Sequence, residues 1–99
     1  MRINVTDIGR TFGRQTRAYA DYRIFSSLAS FGDAVRSAAV SLTPVDQGRS
    51  VVCSVLVDVE TASPVQVTAR GRHAYDAINR AADRLGGALR RHVDVAVPS

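Results

Sequence analysis

Arginine is the residue type with the numbers and spacing to do chemistry in this chain. All 13 basic side chains are Arg, against 9 acids, for a net charge of +4. Arg80, Arg84 and Arg91 fall within about 40° of one another if their segment is helical. Gly87 lies in the same file, which leaves the backbone bare there. Arg90 lies to one side, near Asp76 and Asp83. The stretch Arg70 to His92 holds six Arg and two Asp, so the surplus charge concentrates in it. A guanidinium binds phosphate oxygens bidentately, and a file of them can follow a nucleic-acid backbone. The same file also reads as a solvated helix face with Asp76 and Arg80 paired at i,i+4. Arg90 and Arg91 near a helix C-terminus complement its dipole as well. Gly86-Gly87 inside this helix costs about 1 kcal/mol per residue relative to Ala. Close approach of a partner's backbone, tight helix–helix packing or simple drift would each account for the pair.

Other candidate groups carry less. Arg10, Arg14, Arg17 and Arg23 face Asp7, Asp21 and Asp33 as a weak basic patch. His73 and His92 are too far apart, and too poor in neighbouring ligands, for a metal site. Cys53, the one cysteine, alternates with polar residues among valines and reads as a core thiol that suits a reducing compartment. Asp58 and Glu60 lie on one strand face with no His, Lys or metal ligand beside them. The absence of Lys excludes Schiff-base chemistry and a phosphate-binding P-loop. With no Ser-His-Asp arrangement either, the expectation is a protein that is not an enzyme and uses no cofactor.

The elements that position these residues follow from periodicity. Ile3 and Val5 alternate with Arg2, Asn4 and Thr6, a short strand rather than the start of a signal peptide. A helix is predicted from about Thr16 to Phe31, capped by Thr16 or Gln15 and ended by Gly32-Asp33. Its predicted buried face is Ala18, Tyr22, Phe25, Leu28 and Ala29. Three strands follow, with Ala38, Val40 and Leu42, then Cys53, Val55, Val57 and Val59, then Val65, Val67 and Ala69 facing inward. Asp46-Gln47-Gly48 and Thr61 to Pro64 are the turns, and the last two strands form an antiparallel hairpin. The final helix runs from about Ala74 to His92 with a stripe of Tyr75, Ile78, Ala81, Ala82, Leu85, Ala88, Leu89 and His92. The fold class is therefore α/β (α+β): a two-layer β-α-β-β-β-α sandwich with both helices on one face of a four-stranded mixed sheet. Residues 1–93 are expected to form one domain, with 94–99 a short tail. No apolar run reaches the ~18 residues of a membrane span.

The final helix also carries a resemblance. Ala74-Tyr75-Asp76-Ala77-Ile78-Asn79-Arg80-Ala81-Ala82-Asp83-Arg84-Leu85, followed by Leu89-Arg90-Arg91-His92, resembles the last helix of the ribosome hibernation promoting factor / ribosome-associated inhibitor A family. These are also called sigma-54 modulation or ribosomal subunit interface proteins. Ile3-Asn4-Val5-Thr6 is similar to the family's first strand. Leu28-x-x-Phe31, Val40-x-Leu42 and Cys53-x-Val55 are similar to a proteobacterial-type branch. The resemblance implies a cytoplasmic protein that binds the small ribosomal subunit where tRNA and mRNA would sit, through basic residues on both helices that touch ribosomal RNA. Carried over by position, Arg23, Arg84, Arg90 and Arg91 are the RNA-binding residues. Arg80 joins them on helix geometry alone. The chain departs from the pattern at Ser26, Ser27 and Ser30, where further basic residues are common, and at Gly87. His73 stands where an Asp usually caps the last helix, a loss worth about 1 kcal/mol. The length matches the family's short form.

The expected function is thus steric inhibition of translation by Arg–phosphate contacts. Five such contacts would give a log–log salt slope of about −3.5 to −4.5. Two other readings remain open. One is a general module for structured RNA. The other is a protein-interaction module, such as a homodimer, hinted at by Leu56 on an otherwise polar sheet face beside Gln66 and Thr68. An acylphosphatase-like enzyme is set aside because its Gly-rich phosphate loop is missing.

Overall fold

The computed structural model describes residues 1–60 and 62–96. Strand β1 (Arg2–Asp7) leads through a short 3-10 turn into helix α1 (Gly13–Leu28). Strands β2 (Val35–Val45), β3 (Ser50–Val59) and β4 (Val65–Gly71) follow, and helix α2 (Ala74–Ala96) closes the chain. The sheet order is β1-β2-β3-β4. The β1–β2 pair is parallel and the other two are antiparallel, with Cys53 opposite Leu42 and Ala69. Both helices cover one face, so the expected two-layer sandwich is the one observed.

The core forms where the strand alternation demands it. Val40, Leu42, Cys53, Val55 and Val57 are at most 1% exposed and lie under Ile24, Leu28, Ile78, Leu85 and Leu89. Burial pushes the Cys53 thiol up to about 11, so the group is a core filler and not a nucleophile. Leu56 stands exposed on the open sheet face opposite Ala39 and Gln66, as its place in the alternation requires.

Helix α1 departs from the expectation in start and in face. Its buried residues are Thr16, Ala20, Ile24 and Leu28, an i,i+4 file. Tyr22 is 66% and Phe25 49% exposed, and Ala18 and Ala29 are exposed too. Turning the helix to bury Tyr22 and Phe25 would bring Asp21 and Arg14, which flank that face, towards the sheet without partners. The helix also begins three residues early, because its cap lies elsewhere. Asp7 at the end of β1 accepts the amide hydrogens of Thr11, Phe12 and Gly13 at 2.9, 2.7 and 3.0 Å. Neither Thr16 nor Gln15 caps it.

Helix α2 follows its predicted stripe more closely. Ala74, Ala77, Ile78, Ala81, Ala82, Leu85 and Leu89 are buried, while Tyr75 is exposed at the margin and rests on Tyr19. The helix runs past His92 to Ala96, into the segment expected as a tail; residues 97–99 of that tail lie outside the described residues. The expected loss of an N-terminal cap does not occur. His73 Nδ1 accepts the Asp76 amide hydrogen at 3.2 Å, and Asp76 Oδ2 accepts that of Arg72 at 3.1 Å. Imidazole replaces the missing carboxylate because a neutral ring nitrogen is also an acceptor.

Candidate nucleic-acid interface

The basic file of α2 divides in two along its length. At the head of the helix Arg80 Nε donates to Asp76 Oδ1 at 3.0 Å. The Arg72 amide and the Arg80 guanidinium hold the Asp76 carboxyl below its ordinary range, against a smaller desolvation effect. Arg80 is therefore an intrahelical partner of Asp76, the i,i+4 pairing its spacing allowed.

Further along, the arginines are exposed, and Arg84 is also tied to the sheet. Arg84 Nη1 donates to the Thr68 carbonyl at 2.5 Å, on the free edge of β4. Arg91 Nη1 lies 3.5 Å from the point where a Cβ on Gly87 would stand. Arg84, Gly87 and Arg91 thus share a shallow groove with Thr68 and Gln66 between α2 and β4. Arg90 borders a second groove, floored by Gly86 and walled by Ser27, Ser30, Phe31 and Asp83, whose carboxylate also lines the first groove. Arg84, Arg90 and Arg91 are exposed. Among residues 1–60 and 62–92, whose side chains are described, none of the three has a carboxylate within salt-bridge distance. The arrangement presents three guanidinium groups around a stretch of bare helix backbone.

Arg23 takes a different place. Its Nε donates to Asn79 Oδ1 at 3.2 Å, Nη1 to Ser27 Oγ at 3.3 Å and Nη2 to Asp83 Oδ1 at 3.0 Å. Tyr19 Oη donates to the same Asn79 oxygen at 2.6 Å. The side chain is 29% exposed and ties α1 to α2. Its donors are directed into the protein, unlike those of Arg90 and Arg91. Asn79 and Tyr19 carried no sequence signal as a polar hub. The one available hint was Asn79 standing one turn before Asp83.

Three further arginines gather at the start of α1. Arg10, Arg14 and Arg17 line shallow depressions beside Val5 and Asp7, away from Arg23. Partial desolvation of the Asp7 carboxyl is outweighed by its three amide hydrogen bonds and the nearby Arg17 charge, so its pKa falls. Among the described residues no group of three or more His, Cys, Asp or Glu could hold a metal ion. Among the described residues no helix is long and apolar enough to cross a membrane.

Solved structures share this architecture. A ribosomal subunit interface protein from Coxiella burnetii superposes with a TM-score of 0.81 at 13% identity, over 95% of this chain and 99% of the other. The N-terminal domain of Protein Y from Thermus thermophilus superposes with a TM-score of 0.76 at 22% identity, over 92% and 98%. No protein-family model and no curated protein sequence matches the chain. At these identities the likeness establishes a shared fold. The fold is the one that the resemblance of the last helix implied.

Proposed function

We propose that the chain is a ribosome-associated translation inhibitor of the hibernation-factor type. The observation that carries this reading is the full-length structural likeness to a ribosomal subunit interface protein. Three exposed arginines on α2 supply the chemistry. Arg84, Arg90 and Arg91 would each meet phosphate oxygens of ribosomal RNA, with Arg23 and Arg80 shaping the helix pair beneath them. The protein would act in the cytoplasm without catalysis or cofactor. It would occupy the channel of the small subunit and exclude tRNA and mRNA by its bulk.

Gradient co-sedimentation tests this. The protein should travel with the small ribosomal subunit at low salt and be released as salt rises. Replacing Arg84 and Arg91 with Glu should abolish the association. Free protein at every salt concentration overturns the reading. Equal affinity for arbitrary duplex RNA and for the subunit overturns the ribosomal part and leaves a general RNA-binding module.

A further inference from the structure

Gly86 and Gly87 stand in the body of α2, where glycine weakens a helix. The structure removes the reasons internal to the fold for keeping them. Neither has a positive φ, which the chain reserves for Gly9, Gly13, Gly32 and Gly48. A Cβ at Gly86 would meet nothing within 4 Å. At Gly87 it would meet only Arg91 Nη1, at 3.5 Å, an ordinary contact with a flexible side chain. Gly71 shows the contrast, since a Cβ there would lie 2.5 Å from the Ala77 backbone nitrogen. That glycine is required by packing and the pair on α2 is not.

What the pair changes is the outer surface of α2. The Cα atoms of a helix lie about 2.3 Å from its axis, whereas side chains carry the surface out to about 5–6 Å. Gly86 and Gly87 are about 100° apart around the axis. One floors the groove beside Arg90, the other the groove beside Arg84 and Arg91. A partner can therefore come several ångströms closer to the helix here than elsewhere on its exposed face. At that depth it meets Arg90 in one groove and Arg84 with Arg91 in the other, while the Asp83 carboxylate, which lines both grooves, is held by Arg23. Three arginines against one carboxylate that Arg23 already pairs leave a positive surplus that selects a polyanion, and an extended one, because the bare strip runs from one groove to the other.

We propose that the sugar–phosphate backbone of an RNA strand rests directly on Gly86 and Gly87, clamped between Arg90 on one flank and Arg84 with Arg91 on the other. The inference rests on the reading of α2 as an RNA-contacting helix and assigns the glycine pair as its affinity-determining element. Side chains at 86 and 87 would hold the strand away from the arginines without disturbing the fold.

The test turns on opposite signs. Gly86→Ala and Gly87→Ala should each raise the melting temperature by about 4–8 °C. Each should weaken binding to purified small subunits, measured by co-sedimentation at fixed low salt, by tenfold or more. Gly87→Leu should weaken it further while the protein stays folded. Arg91→Glu serves as the electrostatic control. Wild-type affinity in both alanine variants overturns the proposal, as does a fall in affinity that accompanies a fall in melting temperature. If the wild-type protein itself fails to bind the subunit, the ribosomal reading fails. If the wild type binds and the glycine variants bind equally, the glycine assignment alone fails.

Discussion

The Arg23 guanidinium lies 3.0 Å from the Asp83 carboxylate, joining α1 to α2 across 60 positions of sequence. The same side chain reaches Asn79, so it stabilises the packing of the helix pair. Arg23→Ala should destabilise the fold by only about 0.5–1 kcal/mol, because Asp83 is mostly solvated. In thermal denaturation this is a drop of about 2–8 °C. Affinity for the small subunit should change less than threefold. A large loss of affinity at unchanged melting temperature would instead make Arg23 a direct RNA contact.

The internal engagement of Arg23 and Arg80 also changes the expected salt dependence. Contacts by Arg84, Arg90 and Arg91 alone, in place of five, give a log–log slope of about −2 to −3. Binding measured between low and moderate salt reads this number. A slope near −4 would mean that Arg10, Arg14 or Arg17 joins the contact.

Gly71→Ala should act against the fold. The added Cβ would stand 2.5 Å from the Ala77 nitrogen and 2.9 Å from the Asp76 carbonyl carbon, so the start of α2 would have to move off β4. The cost is about 1–3 kcal/mol, as for other overpacked sites, and chemical denaturation would register it as a lower midpoint.

Acid should unfold the protein late. Asp7 and Asp76 both have carboxyl groups held below their ordinary range in the folded state. Their contribution is complete above about pH 4, the unfolded value. It is lost as pH falls through the lowered folded values, because the unfolded chain takes up protons first. Asp7→Asn should flatten the acid limb of stability against pH. An unchanged acid limb would mean that the Asp7 cap adds nothing.

The layer order, the strand faces and the stripe of α2 were legible because single periodicities ran through each segment. Cys53, Val55 and Val57 alternate without competition, and Ile78, Leu85 and Leu89 have no rival face. Helix α1 was legible in type but not in orientation. Tyr22 and Phe25 carry more apolar surface than Ala20 and Thr16, and counting apolar residues favours the wrong side. What decides is the position of Asp21 and Arg14, together with a cap supplied from Asp7 across a turn. The basic residues of α2 were found from spacing, but which remain available was not. The partners of Arg23 on α2 lie 56 and 60 positions away, and Arg84 is held by a backbone oxygen on another element. His73 escaped notice as a cap because side-chain statistics favour oxygen acceptors there.

The two-sided α1 bears on how the chain finds its native state. A helix with apolar residues on opposite faces can dock on the sheet in two rotations, both of which hide hydrocarbon. Hydrophobic collapse alone does not choose between them. The choice falls to directional contacts, the Asp7 carboxylate on three amides at one end and Tyr19 and Arg23 on Asn79 in the middle. These groups widen the energy gap between the correct docking and its rotated competitor. Their largest effect is on uniqueness: a chain stripped of them would still collapse, with α1 divided between two orientations.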